Sequence, residues 1–230
     1  MSKIKFVFID IDDTLFDFKR SEALSIRETL KVLSIMPTDE TVALYSKINK
    51  SLWEALERGE IERERLLTRR YELLFEALGV VRDAKEAQSI YEAKLSASYF
   101  YLDGAVELLT SLSGKYKVYL ASNGTAKVQD GRIAISGISK YADGIFISER
   151  IGHNKPSREF FDACFASIDG FSRDGAIMIG DSLSSDILGG KNAGILTCLF
   201  NPSGKPCDGK IKADFEVGSL SEILPLLERL

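Results

Sequence analysis

Three carboxylates fall within four positions near the start of the chain, in Asp10-Ile11-Asp12-Asp13-Thr14-Leu15. Residues two apart in an extended segment point the same way, so Asp10 and Asp12 aim at one site. Like charges this close repel unless a cation or a proton sits among them. An EF-hand does not explain them: counted from Asp10, positions 6 and 12 hold Leu15 and Ser21 instead of Gly and Glu. A second acidic pair, Asp181 and Asp186, follows Met178-Ile179-Gly180. Asp186, or Ser185 beside it, is also a reasonable helix cap. Asp181 with the first cluster makes an oxygen-only site for a hard cation. Mg²⁺ suits it, since that ion keeps waters and a substrate phosphate in its shell.

Two further segments supply the opposite polarity. Ser122-Asn123-Gly124-Thr125 offers a hydroxyl, an amide and backbone N–H groups, a cradle for phosphate that a plain turn explains about as well. Lys155 brings the cation that a phosphoryl group beside aspartates requires. His153, the single histidine, has no neighbours with which to form a triad and is expected on an exposed loop.

These residues need a scaffold. Apolar runs at 5–11, 117–121, 144–148, 176–180 and 196–200 lack strict alternation, as strands buried on both faces do. Helical patterns separate the later ones. Ser157 is placed to cap a helix carrying Phe160, Phe161, Cys164 and Phe165. Ser219 and Glu222 read as a capping box, with Pro225 breaking or restarting that last helix. The alternation predicts an α/β fold with a doubly wound, mainly parallel sheet. Such sheets bind ligands at the carboxyl ends of their strands, where Asp10 and Asp181 fall.

Residues 16–97 differ, with no convincing strand. Leu67, Tyr71, Leu74, Phe75 and Leu78 follow helical spacing up to Gly79, and Asp83 and Glu86 open a further helix with Ala87, Ile90 and Tyr91 inward. The expected organisation is a catalytic core at 1–15 and 98–230 with an all-helical cap inserted at 16–97.

At 230 residues the chain is sized for one large domain or one domain with an insertion. A net charge of −4 without a basic tract argues against a nucleic acid polymer as partner. Cys164, Cys198 and Cys207 form no disulfide framework, and no run is long enough to span a membrane. A cytoplasmic enzyme is expected, monomeric or dimeric, without membrane contact.

In this order the motifs resemble those of the haloacid dehalogenase-like (HAD) hydrolases. Asp10-Ile11-Asp12-Asp13-Thr14 matches the DxDxT motif, Ser122 the second, Lys155 the third, and Gly180-Asp181 with Asp186 the fourth. The insertion is similar to that family's helical C1 cap. The segments 48–53 and 184–190 resemble the house-cleaning pyrimidine 5′-nucleotidase branch.

The resemblance implies a Mg²⁺-dependent phosphomonoesterase acting on a small phosphorylated metabolite. Asp10 would be the nucleophile and form an aspartyl-phosphate. Asp12 would protonate the leaving oxygen and then activate water. Asp10, Asp181 and the backbone carbonyl of Asp12 would hold the metal. Ser122, Asn123 and Lys155 would hold phosphate, with Asp186 behind the metal shell or Lys155, while Asp13 and Thr14 shape the turn. In the cap, Trp53 and Asn49 lie four apart, placed to stack on a pyrimidine and bond its edge, although Trp53 could simply pack the cap interior. Phe16 and Phe18 are candidates for an apolar rim. Competing readings are a phosphatase of a sugar phosphate or phosphoglycolate, a phosphomutase and a dehalogenase. A halide leaving group would have no use for Asp12.

Overall fold

The first apolar run forms β1 (Phe6–Ile9), buried along its whole length. In the computed structural model, which describes residues 3–206 and 209–230, β1 pairs in parallel with β2 (Lys117–Ser122) and β4 (Ala176–Gly180). Ile9 stands opposite Leu120 on one side and Ile179 on the other. β3 (Gly144–Ile147), which runs into the short α7 (Ser148–Ile151), lies outside β2, while β5 (Leu196–Phe200) and β6 (Phe215–Val217) extend the sheet beyond β4. The order is β3-β2-β1-β4-β5-β6, and every pairing is parallel. The expected α/β class is borne out. β6 is a strand the pattern did not predict, because three residues are too few to show a period. Cys207 lies outside the described residues; Cys164 and Cys198 are buried free thiols.

Both faces of the sheet are covered, which explains the unbroken apolar runs. Val7, Ile9, Val118, Leu120, Ile177 and Ile179 pack with α5 (Ala105–Leu112) and α10 (Ile223–Arg229). Phe6, Phe8, Tyr119, Ala121 and Met178 pack on the other face with α8 (Arg158–Ala166) and α9 (Leu188–Ala193). Ser157 caps α8 as expected, accepting from Phe160 N at 3.2 Å. The capping box at Ser219 is not formed. Ser219 Oγ instead accepts from Ser221 N and heads a short 3₁₀ turn. Pro225 does not break α10, because it is the third residue of that helix, where no N–H partner is needed.

Four helices occupy the segment between β1 and α5: α1 (Phe18–Val32), α2 (Asp39–Glu57), α3 (Arg63–Leu78) and α4 (Ala84–Ser96). Asp17, Thr38 and Asp83 cap the first, second and fourth with their side chains, and Gly79 ends α3 at φ 65°. The buried stripe of α3 is Leu66, Arg70, Tyr71, Leu74 and Phe75, which keeps Tyr71, Leu74 and Phe75 of the predicted face, with Leu78 packed at its edge. Leu67 is left facing a cavity. These helices share an apolar cluster that also takes in Val128 of α6 (Ala126–Ser136). Gly131 gives α6 its close approach: a Cβ there would lie 2.6 Å from Ser96 O.

Candidate active site

The strand order places β2 and β3 on one side of β1, and β4 to β6 on the other. At that reversal the segments leaving adjacent strands diverge and open a crevice above their carboxyl ends. Asp10 leaves β1 there, its N–H donating to Ile179 O at 2.9 Å, and Asp181 leaves β4 beside it. Lys155, from the loop before α8, reaches the same point. Its Nζ donates to Asp10 Oδ1 at 2.6 Å, Asp186 Oδ1 at 2.7 Å and Ala121 O at 2.8 Å.

Asp186 sits in a π-helical turn, Leu183–Ile187, capped by Ser182, so neither Asp186 nor Ser185 is the cap. Its second oxygen accepts from Ser182 N at 3.1 Å. It is therefore a buried anchor for Lys155. Thr14 donates to Asp181 at 3.4 Å. Asp13 turns the chain at φ 60° and accepts from Phe18 N, and so shapes the turn as expected, whereas Thr14 reaches across to the end of β4.

Electrostatics sharpen the picture. Burial pushes the Asp10 carboxyl well above its usual range; Lys155 opposes this, while Asp186, Asp181 and Asp12 add to it. Burial, with Asp186 and Asp13 nearby, raises Asp181 to about 7. Burial works against the Lys155 ammonium, yet Asp10 and Asp186 hold its pKa above the ordinary lysine range. Oxygens of Asp10, Asp181 and Asp186 come within 4.8 Å of one another. Buried Asp10 and half-buried Asp181, crowded into a state that disfavours their charge, fit a hard divalent cation.

Ser122 Oγ accepts from Gly124 N at 3.0 Å and from Gln129 Nε2 at 2.7 Å. Its own proton is thus free for a ligand. The Asn123 side chain is placed differently from the expectation. Its Nδ2 donates to Lys155 O and its Oδ1 accepts from Lys155 N, which clamps the Lys155 backbone and commits the amide. Asp12 is held by Arg132 and Gln129, two residues the motifs did not point to. His153 is exposed.

The helices α1 to α4 roof a cavity of about 200 Å³ whose floor includes Asp10, Asp12, Ser122, Lys155 and Asp181. Phe18, Trp53, Leu67, Gln88 and Tyr91 line its upper wall. Asn49 does not line it. Its amide donates to Glu22 at 2.7 Å and accepts from Arg70 at 2.8 Å inside the helical layer. Phe16 is fully buried and forms no rim. Another unpredicted residue, Arg63, crosses from α3 to the strand-end loops. It donates to Asn123 O at 2.9 Å and Ser148 Oγ at 2.7 Å and also bonds Asn154, with its guanidinium 5.5 Å from the centre of the Trp53 ring. A lone arginine at a helix start carries no sequence signal for this. Glu57 makes a second crossing, accepting from Ser184 Oγ at 2.7 Å.

Residues 4–194 match the family model for haloacid dehalogenase-like hydrolases. The chain belongs to that family. Like this hydrolase, several relatives are similar over nearly the full length. The pyrimidine 5′-nucleotidase PynA of Streptococcus pneumoniae is 35% identical, covering 98% of this chain and 95% of PynA. The pyrimidine 5′-nucleotidase YjjG of Escherichia coli is 33% identical, covering 98% of each. A magnesium-bound crystal structure of the HAD-hydrolase YfnB from Bacillus subtilis superposes on this hydrolase with a TM-score of 0.93. The two share 33% identity over 97% of this chain and 98% of YfnB. No helix among the described residues is long and apolar enough to cross a membrane.

Proposed function

We propose that this hydrolase is a Mg²⁺-dependent phosphatase of pyrimidine nucleoside 5′-monophosphates. The observation that carries the phosphatase reading is the Asp10–Lys155–Asp186 chain beneath a hydroxyl donor and a second acid, Asp12. The nucleotide reading rests on similarity to PynA and YjjG and on the aromatic wall above the site.

Asp10 and Asp181 would hold the metal, with the Asp12 backbone carbonyl completing the protein's share. Bound there, Mg²⁺ supplies charge neutralisation to the phosphoryl oxygens. Lys155 neutralises a further non-bridging oxygen, and the free proton of Ser122 donates to another. The carboxylate of Asp10 attacks phosphorus, and the ester P–O bond breaks with its electron pair on the leaving oxygen. Asp12 gives that oxygen a proton, and the nucleoside departs. Asp12, now a carboxylate, takes a proton from water as the water oxygen attacks the aspartyl-phosphate. The bond to Asp10 breaks, releasing phosphate and restoring the first carboxylate. The helical layer, tied down by Arg63 and Glu57, keeps other water from the intermediate.

The decisive experiment measures phosphate release from UMP, dUMP, CMP, AMP, GMP, a sugar phosphate and phosphoglycolate with Mg²⁺. Preference for the pyrimidine set is expected. Sugar phosphate or phosphoglycolate as the best substrate would discard the nucleotidase reading, and no release from any ester would discard the phosphatase.

A further inference from the structure

Both oxygens of Asp12 are gripped from a single helix. Arg132 Nη1 donates to Oδ1 at 2.5 Å, and Gln129 Nε2 donates to Oδ2 at 2.7 Å. The two residues lie three apart on one face of α6. Chemistry fixes the Gln129 amide. A guanidinium only donates, so the amide oxygen faces Arg132 Nη1, at 3.2 Å, and the NH₂ faces Asp12 and Ser122.

Arg132 is itself immobilised. It is fully buried, its Nε donates to Ser98 O at 3.2 Å, and its guanidinium lies 5.0 Å from the centre of the Phe16 ring and 5.8 Å from that of Phe18. A group held at three places cannot follow Asp12, so Asp12 is held where Arg132 stands. Two glycines make room for the arrangement. A Cβ on Gly124 would lie 2.6 Å from Gln129 Nε2, and one on Gly131 would press on Ser96.

We propose that Gln129 and Arg132 are positioning residues for Asp12. They hold its carboxyl on the leaving-group side of the site, and the shared Gln129 amide ties that position to the phosphate-binding Ser122. The inference rests on the acid role given to Asp12 above. When the ester P–O bond breaks, Asp12 must deliver its proton to an oxygen that carries the released electron pair. The more basic that oxygen, the more the rate depends on where Asp12 sits. A p-nitrophenolate leaves with little help, whereas a phenolate requires it.

The test compares p-nitrophenyl phosphate with phenyl phosphate in the Mg²⁺-loaded enzyme, read as kcat/KM, which extends only to departure of the leaving group. Gln129→Leu is expected to widen the ratio between the two substrates at least tenfold. Asp12→Asn should widen it too, and Gln129→Leu added to Asp12→Asn should widen it no further. Equal losses on both substrates in Gln129→Leu would overturn the proposal, because a merely structural residue affects all esters alike. Should that variant fail to fold, Arg132→Lys is read by the same ratio, since it keeps the charge but loses the fork. An Asp12→Asn enzyme whose ratio stays unchanged would remove the acid role itself. A sensitive Asp12→Asn beside an insensitive Gln129→Leu would remove only the positioning.

Discussion

Gly180 and Asp186 occupy adjoining space so tightly that a methyl group on Gly180 would overlap the Asp186 carboxylate. The glycine preceding Asp181 therefore allows Asp186 to reach Lys155 from behind. Gly180→Ala should displace Asp186, leave the buried Lys155 ammonium with one carboxylate partner in place of two, and lower stability by about 3 kcal/mol. Activity should fall with it. Chemical denaturation with a parallel phosphatase assay checks both, and a wild-type midpoint would show that Asp186 does not depend on that gap.

Asp10→Asn should leave the fold intact and reduce turnover on the order of 10³-fold or more, because the covalent route is lost. Rapid acid quench of the wild-type enzyme with ³²P-labelled substrate should trap label on protein, and the variant should trap none. Near-normal turnover by the variant would refute the nucleophile assignment.

The metal requirement should depend on pH in a definite direction. Asp181 titrates at about 7 in the folded protein against an ordinary 3.8, and Asp10 is shifted the same way. The folded state thus retains protons that the unfolded chain releases between those values. In metal-free protein this contribution to stability is full below the unfolded pKa and is lost as pH rises through about 7. A bound cation must displace those protons, so Mg²⁺ affinity should weaken as pH falls below about 7. Thermal melts should show Mg²⁺ raising Tm more at about pH 8 than at about pH 5. An equal rise at both would contradict the assigned carboxylates.

Trp53 lines the cavity, with Arg63 beside its ring and bonded to the loop of Asn123. Trp53→Ala should therefore reduce kcat/KM for UMP about tenfold more than for p-nitrophenyl phosphate. Arg63→Ala should lower both together, because it loosens the helical layer over every substrate. Equal losses in Trp53→Ala would assign Trp53 to packing alone.

Much of this was legible along the chain because it is local. Asp10 and Asp12 share a strand end, Asp181 follows a buried run, and Ser157, Asp83 and Gly79 cap or stop helices by their own backbone chemistry. Asn49 misled because helical spacing alone shows which residues share a face with Trp53. It does not show that Glu22 and Arg70 occupy the amide from neighbouring helices. Gln129, Arg132 and Arg63 gave no signal, since each is an ordinary polar residue on a helix until its partner arrives from another element.

Read along the chain, local patterns are enough for five of the six strands, the carboxylates at their ends and the helical segment between β1 and β2. Strand burial, period and capping act over a few residues, and those interactions are written consecutively. How the carboxylates are held depends on contacts between distant elements. The bonds from Lys155 to Asp10 and Asp186, and from α6 to Asp12, span 145, 31 and 117 to 120 positions. Contacts of that range follow from strand order and from room left by two glycines, Gly124 for the Gln129 side chain and Gly131 for the backbone at Ser96, that no local pattern encodes.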